Sequence, residues 1–146
     1  MIHLLDANLL IALIDPDHVH SAYAKAWFER TVDEGWATCP MTENAFVRIA
    51  GKPSYKMPGT FSDMAELLVR VRARPGHVFW PDSISLVSNP LIDTRRIAGH
   101  GQIADVYLLA LAVQNGGRLA TFDRRIAASA VKGGNEALVV IESSDA

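Results

Sequence analysis

Cysteine is almost missing from this sequence, as are long apolar runs and any strong excess of one charge. The single cysteine, Cys39, excludes a disulfide within the chain and is typical of a reducing compartment. No apolar run approaches the roughly 20 residues of a membrane-spanning helix, and no basic segment precedes the apolar N-terminal stretch as in a secretory signal. We therefore expect a cytoplasmic protein with no membrane partner.

Linker-like segments, internal repeats and low-complexity tracts are absent as well, so residues 1–146 are expected to form a single domain. A chain of this length buries roughly 70% of its unfolded surface. The net charge is −2, from 14 basic and 16 acidic residues, which taken alone argues mildly against a nucleic-acid partner. Any such binding must depend on where the charges lie.

Short apolar strands alternate with helices along the chain. Strands are predicted at MIHLL, WATC, HVFW, RLATF and ALVVI, and helices at ANLLIALI, SAYAKAWFERTVDEG, PMTENAFVRIAG, FSDMAELLVRVRARPG and QIADVYLLALAVQNGG. The segment PDSISLVSNPLIDTRRIAGHG fits no regular element. This alternation predicts an α/β domain whose parallel sheet is covered on both faces.

Four acidic residues lie near predicted strand ends or helix starts. Asp6 and Asp123 follow predicted strands, Glu43 lies in the first turn of a predicted helix, and Asp105 lies near the start of the long helix. Each alone has a structural explanation, because carboxylates at helix N-termini stabilise the helix by about 0.3–1 kcal/mol. In a parallel sheet, however, the carboxyl ends of the strands share one edge, so the four should converge on a cleft. Their mutual repulsion would oppose folding, and a divalent cation such as Mg²⁺, which prefers oxygen ligands, would relieve it.

Four motifs follow one another along nearly the whole chain: LLDANLLIAL, TCPMTENAFVRI, QIADVYLLALAV and RLATFDRR. In this order they resemble the PIN-domain nucleases, and specifically the VapC-type toxins of bacterial toxin–antitoxin pairs. The segments HVFWP and GHGQIAD also resemble one subgroup of these toxins. The resemblance implies a PIN-like, Rossmann-like, three-layer α/β/α fold with a central parallel sheet of four to five strands.

The resemblance also implies a metal-dependent endoribonuclease that hydrolyses RNA with Mg²⁺ or Mn²⁺. The cation would lower the pKa of a bound water and stabilise charge on the cleaved phosphate, and one carboxylate would act as general base. One departure from the family pattern is Ile126, where many relatives have an aromatic residue. By position, the catalytic and metal-binding residues are Asp6, Glu43, Asp105 and Asp123, with Asn8 and Thr121 in support.

Basic residues become stronger candidates for nucleic-acid binding if a metal ion offsets the charge of the four acids. The 16 acidic residues less these four leave 12 against 14 basic ones, a balance of +2 around a cationic site. Tyr55 is a candidate for stacking on a base, whereas packing is expected for Trp80. Candidate phosphate contacts, each with an ordinary alternative as solvated surface, are Arg48, Lys52, Lys56, Arg95, Arg96, Arg124 and Arg125.

Partners follow from the resemblance as well. It implies a cognate VapB-type antitoxin, and it implies a homodimer, which the apolar residues of the N-terminal helix and the helix in the 60s also favour. A catalytically silent PIN domain that only binds RNA or protein remains the alternative, although four intact acids disfavour it. A phosphoacceptor domain would need adjacent acids after the first strand, and a haloacid-dehalogenase-like phosphatase would need an aspartate in place of Asn8.

Overall fold

Five short strands form one parallel sheet in the computed structural model of the chain, which describes residues 1–142. Their order is β3-β2-β1-β4-β5, so the chain winds outwards from β1 and then returns to the other side of β1. The predicted parallel sheet is confirmed with five strands, and residues 143–146 of the predicted domain lie outside the described residues. The strands are β1 (His3–Leu5), β2 (Trp36–Thr38), β3 (His77–Phe79), β4 (Arg118–Thr121) and β5 (Leu138–Val140).

Helices cover both faces of the sheet and complete three layers. One buried cluster joins the sheet to α1–α4, and a second joins it to α5 and α6. None of the helices in residues 1–142 is long and apolar enough to cross a membrane. The helices are α1 (Ala7–Ile14), α2 (Ser21–Thr31), α3 (Pro40–Ala50), α4 (Phe61–Arg72), α5 (Ile103–Gln114) and α6 (Gly134–Ala137).

Local signals explain where several elements begin and meet. The Asp6 side chain caps α1, and Thr60 and Asp63 form the predicted capping box of α4, with backbone N–H bonds of 2.8 and 3.1 Å. Gly117 permits the close approach of β4 to β1, since a Cβ there would lie 2.5 Å from the carbonyl oxygen of Ile2. That approach brings the amino ends of β1 and β4 together.

The expectation that Asp123 precedes a helix is wrong. Its carboxylate accepts the backbone N–H of Arg125 at 2.8 Å, which closes a turn of the kind that aspartate favours. A 3₁₀ turn at Ala128–Ala130 follows this turn before α6 begins. The segment that fitted no regular element is a long irregular connection with 3₁₀ turns at Thr94–Arg96 and His100–Gln102.

Candidate active site

A buried carboxylate lies at the centre of the sheet's carboxyl edge. Asp6 follows β1, is only 9% exposed, and its backbone N–H donates to the carbonyl of Ala120 at 3.0 Å. The hydroxyl of Thr121 donates to Oδ2 of Asp6 at 2.7 Å, and the backbone N–H of Ala7 donates to Oδ1 at 2.8 Å. These bonds compensate the carboxylate for lost water and fix its orientation.

Thr121 connects three of the predicted site residues. Its Oγ1 accepts the side-chain N–H of Asn8 at 3.4 Å and the backbone N–H of Asp123 at 3.1 Å, while it donates to Asp6. The Oδ1 atom of Asn8 is buried and has no hydrogen-bond partner within residues 1–142. An unsatisfied oxygen of this kind beside a carboxylate is a place where water or a hard cation gains an interaction.

Three carboxylates share one electrostatic environment here. Asp105 lies in the first turn of α5, and its pKa is raised from 3.8 to about 6, first by burial and then by the charges of Asp6 and Asp123, against the opposing effect of Arg125. Burial also raises the pKa of Asp6, and the charge of Asp123 adds to that rise, against the two hydrogen bonds that Asp6 accepts. The ionised forms of Asp6 and Asp105 are therefore disfavoured until a positive charge binds nearby.

Glu43 has a separate set of partners. The hydroxyl of Thr38, the last residue of β2, donates to its Oε2 at 2.7 Å, and Nη1 of Arg72 lies 3.2 Å from the same oxygen. Nε2 of His77 lies 2.8 Å from Oγ1 of Thr38. Because the hydroxyl hydrogen of Thr38 is used on Glu43, His77 is the donor in this contact, which places its proton on Nε2.

The four acids do not form a ready-made metal cage. Among residues 1–142, no group of three or more His, Cys, Asp or Glu side chains is arranged to hold a metal ion. The structure brings Asp6, Asp105 and Asp123 within electrostatic reach of one another and pairs Glu43 with Arg72. Of the predicted supporting residues, Thr121 bonds to Asp6 and Asp123, and Asn8 bonds to Thr121.

Sequence reasoning missed the partners of Glu43. Thr38 had a detectable signal, because it ends its strand just as Thr121 ends β4, and both hydroxyls donate to a site carboxylate. Arg72 had none, since it lies 29 residues from Glu43 at the far end of another helix. Its guanidinium also lies 5.2 Å from the ring centre of Phe79, which further fixes its position.

The candidate phosphate contacts are spread around the molecule. Arg125 and Arg124 flank the site and pair with Asp123 at 3.4 Å and Glu142 at 3.0 Å. Trp80 is buried as expected, and the Tyr55 hydroxyl donates to Asp15 at 2.8 Å. Arg95 and Arg96 pair with Asp93, whereas Arg48, Lys52 and Lys56 are exposed.

We expect Asp105→Asn to gain stability over the parent chain as the pH rises. Because folding raises the pKa of Asp105 from 3.8 to about 6, the stability from its protonated form is complete below the unfolded pKa and is lost as the pH passes about 6. Urea unfolding in chelator between about pH 4 and pH 7 measures this difference. The exposed Asp33→Asn is the control, and its unfolding free energy should change with pH as that of the parent does. If the unfolding free energies of Asp105→Asn and the parent differ by the same amount at every pH, the raised pKa of Asp105 is contradicted.

The chain matches the PIN domain family over residues 3–132, and it therefore belongs to that family. The three-layer fold and the acids at the sheet edge agree with this membership. Among curated proteins of Mycobacterium tuberculosis, it is 42% identical to Ribonuclease VapC44 over 130 residues, covering 89% of this chain and 92% of the relative. It is 42% identical to Ribonuclease VapC39 over 134 residues, covering 91% and 96%, and 43% identical to Ribonuclease VapC38 over 122 residues, covering 82% and 84%.

Proposed function

We propose that this chain is a metal-dependent endoribonuclease, the toxin of a VapBC-type pair, which hydrolyses RNA phosphodiester bonds in the cytoplasm. The observation that carries the proposal is the trio of Asp6, Asp105 and Asp123 beside an unsatisfied Asn8 oxygen, where burial first and the neighbouring charges second raise the pKa of Asp6 and of Asp105. The names of the relatives, each a ribonuclease, support the substrate class.

The donor set fits Mg²⁺ or Mn²⁺. Mg²⁺ keeps several waters and uses one or two carboxylates with substrate phosphate, so it needs no complete protein cage. Asp6, Asp105 and Asp123 would hold it, and Glu43 would join them when it exchanges Arg72 for the cation. When bound, the cation lowers the pKa of a water and stabilises negative charge on the phosphate.

The carboxylates differ in how firmly the chain holds them. Asp6 is fixed by two hydrogen bonds, and Glu43 is fixed by Thr38 and Arg72. Asp105 has no side-chain hydrogen bond within residues 1–142, so one of its oxygens could bind the cation while the other faces the attacking water. Asp105 is therefore our candidate for the group that accepts a proton from the attacking water at a carboxylate oxygen.

Arginines beside the trio would bind the RNA backbone. Arg124 and Arg125 follow Asp123 directly, and both are mostly exposed despite their ion pairs. Such pairs at the surface are weak, at most about 1 kcal/mol, so a phosphate can displace the carboxylate partner. Arg48, Lys52, Arg95 and Arg96 are the more distant candidates.

Purified chain incubated with Mg²⁺ and end-labelled single-stranded RNA tests the proposal. Internal cleavage products from both 5′- and 3′-labelled RNA are expected, because an endonuclease cuts within the strand. The alternative, a silent PIN domain, predicts RNA or protein binding without any new RNA ends. Intact RNA under these conditions, with a folded protein, would favour that alternative.

An antitoxin partner has a surface to occupy. An open groove of about 910 Å³ lies between α1, α2, α4 and the turn before β3, with Leu13, Ile14 and Val71 among its apolar lining and Lys25 and Glu29 at its rim. We propose that a flexible antitoxin segment folds into this groove with apolar side chains. A basic residue of the same segment would reach the acidic site, since arginine forms bidentate bonds with carboxylates.

We expect alanine in place of that antitoxin residue to restore measurable ribonuclease activity while the complex persists. The groove contacts supply most of the affinity, because one exposed ion pair contributes at most about 1 kcal/mol. Pull-down and RNA cleavage in the same sample separate binding from inhibition. A mutated antitoxin that still binds and still silences the enzyme fully would place the inhibition elsewhere.

We also propose that the chain forms a homodimer. Apolar residues of α1 pack inside the chain, but Phe61, Ala65 and Val69 form an exposed stripe along α4, with Phe61 and Val69 52% and 64% exposed. The spacing of four residues places these side chains on one helix face. The same stripe on a second copy would cover it. The dimer would then carry two acidic sites along one shared surface.

Light scattering should report about twice the chain mass of 15.9 kDa. Val69→Lys should shift the protein towards monomer, because a charge in the stripe is costly to bury. Val87→Lys is the matched control, since Val87 is 86% exposed in the long connection and away from α4. A monomer mass at all practical concentrations would refute the dimer.

A further inference from the structure

Four aromatic rings lie together beside the acidic site, and we call them the aromatic platform: His18, His20, Tyr23 and Phe122. The Phe122 ring is nearly parallel to that of His18, at 14° and 6.5 Å between centroids, and lies 5.1 Å from His20 and 5.7 Å from Tyr23. His20 lies 5.4 Å from His18 and 5.1 Å from Tyr23. All four side chains are partly exposed, so the platform offers ring surface to solvent.

The platform is joined directly to the acids. Phe122 stands between Thr121 and Asp123, and the Thr121 hydroxyl both donates to Asp6 and accepts the backbone N–H of Asp123. These bonds fix the backbone on both sides of Phe122, whose Cα lies about 3.8 Å from that of Asp123. Phe122 packs with the α1–α4 layer, whereas Asp105 starts α5 on the opposite face. The platform and Asp105 therefore border one edge of the sheet from opposite sides.

The turn that carries the histidines is held in place before any ligand arrives. The backbone N–H of His20 donates to Nδ1 of His18 at 3.0 Å, which leaves the proton of the neutral His18 ring on Nε2. Asp15 fixes the start of the turn by accepting the backbone N–H of Asp17 and the Tyr55 hydroxyl. A pre-organised set of rings loses little conformational freedom on binding.

Two of the four rings, those of His20 and Tyr23, have polar edges without a side-chain hydrogen bond among residues 1–142. Their rings contact neighbouring aromatic rings. The His20 ring nitrogens and the Tyr23 hydroxyl, however, make no such bond and are therefore available to donate to or accept from a bound ligand. Stacking faces with donors and acceptors at their edges are what an unstacked RNA base requires.

We propose that the aromatic platform binds a nucleobase next to the scissile phosphate and so contributes to the choice of cleavage position. The inference rests on the proposed function, because the acidic trio fixes where the phosphate lies and the chemical bonds of RNA keep the flanking base within reach. Arg124 directly follows Asp123 and is 69% exposed, so it could contact the RNA phosphate next to the scissile one. An antitoxin segment is the other possible occupant, and the test below separates the two.

Binding of short single-stranded RNA to the Asp6→Asn protein tests this proposal without cleavage. A series of RNAs, each with one abasic position, should reveal one position where loss of the base weakens binding by about 5- to 150-fold, the effect of one stacked base. In Phe122→Leu, intact RNA should bind more weakly by a similar factor, and the abasic position should no longer matter. His20→Leu should behave likewise, and its place in a surface turn avoids disturbing the core.

Phe28→Leu is the matched control. Phe28 is also a partly exposed ring on α2, but it packs against Trp36 at the start of β2, at the opposite edge of the sheet. This variant should bind every RNA as the parent does. Salt titration adds a second readout, because a lost stacking contact weakens binding without changing the salt slope, whereas Arg124→Gln should reduce that slope.

Each outcome has one meaning. If Phe122→Leu and His20→Leu are folded by circular dichroism and still lose affinity at the same abasic position, the platform proposal is wrong and the proposed ribonuclease stands. If ring variants weaken antitoxin binding and leave RNA binding intact, the platform is a protein contact and the proposal is also wrong. If the parent neither binds nor cuts RNA, the proposed function fails together with it.

Discussion

Replacing Asp105 with asparagine should abolish RNA cleavage while the protein remains folded. The change removes one charged oxygen ligand, keeps the size of the side chain, and relieves the repulsion among Asp105, Asp6 and Asp123. Loss of a residue that merely supports a metal ligand already costs about 10- to 100-fold in activity, so we expect a loss above about 100-fold. Initial rates on labelled RNA and unfolding in urea measure the two effects.

Asp6→Asn should give the same loss for a slightly different reason. An asparagine still accepts the backbone N–H of Ala7, so α1 keeps its cap, but its amide cannot accept the Thr121 hydroxyl as the carboxylate does. Asp33→Asn is the control for both variants, because its carboxylate is exposed and lies far along the chain from the site. Cleavage at the parental rate by either site variant would remove that residue from the catalytic set.

Removal of divalent cations should stop cleavage completely, and Mg²⁺ or Mn²⁺ should restore it. The same cations should raise the stability of the parent chain, because a ligand that binds only the folded state stabilises it by mass action. They should raise the stability of Asp105→Asn less, since that variant has one charged ligand fewer. Thermal unfolding with and without chelator therefore gives a readout that is independent of activity.

Potassium chloride at matched ionic strength is the control for the cation experiment. Screening alone weakens the repulsion among exposed charges but supplies no ligand bond. A stabilisation that potassium chloride reproduces in full would show that Mg²⁺ acts as a general salt. Undiminished cleavage in excess chelator would overturn the metal mechanism.

The sequence predicts most of the fold because its local signals agree with the global arrangement. The apolar run from Ala7 to Ile14 forms α1 with the predicted bounds, because an aspartate cap precedes it and a proline-containing turn follows it. The same reasoning fails after Asp123, where side-chain bonding to the backbone makes a turn that competes with a helix. The long connection after β3 has no periodic pattern and could not be assigned.

The sequence likewise predicts some features of the site and not others. The positions of Asp6 and Asp105 follow from helix starts that the sequence displays, whereas the pairing of Glu43 with Arg72 depends on how α3 packs against α4. Spacing along one helix or strand cannot report a contact between side chains 29 residues apart. The platform was missed for the same reason, because Phe122 and His20 meet only after β4 has joined β1.

The hydrogen bond between Asp6 and Thr121 also has a consequence during protein synthesis. It joins residues 115 positions apart, so the acidic site stays incomplete until β4 has left the ribosome and paired with β1. At about 5–20 residues per second, the N-terminal half of the site waits roughly 6 to 23 seconds for its other half. A nascent chain without that second half has no assembled acidic site beside the RNA of the ribosome that makes it. Under the proposed function, this topology delays ribonuclease activity until β4 has been made.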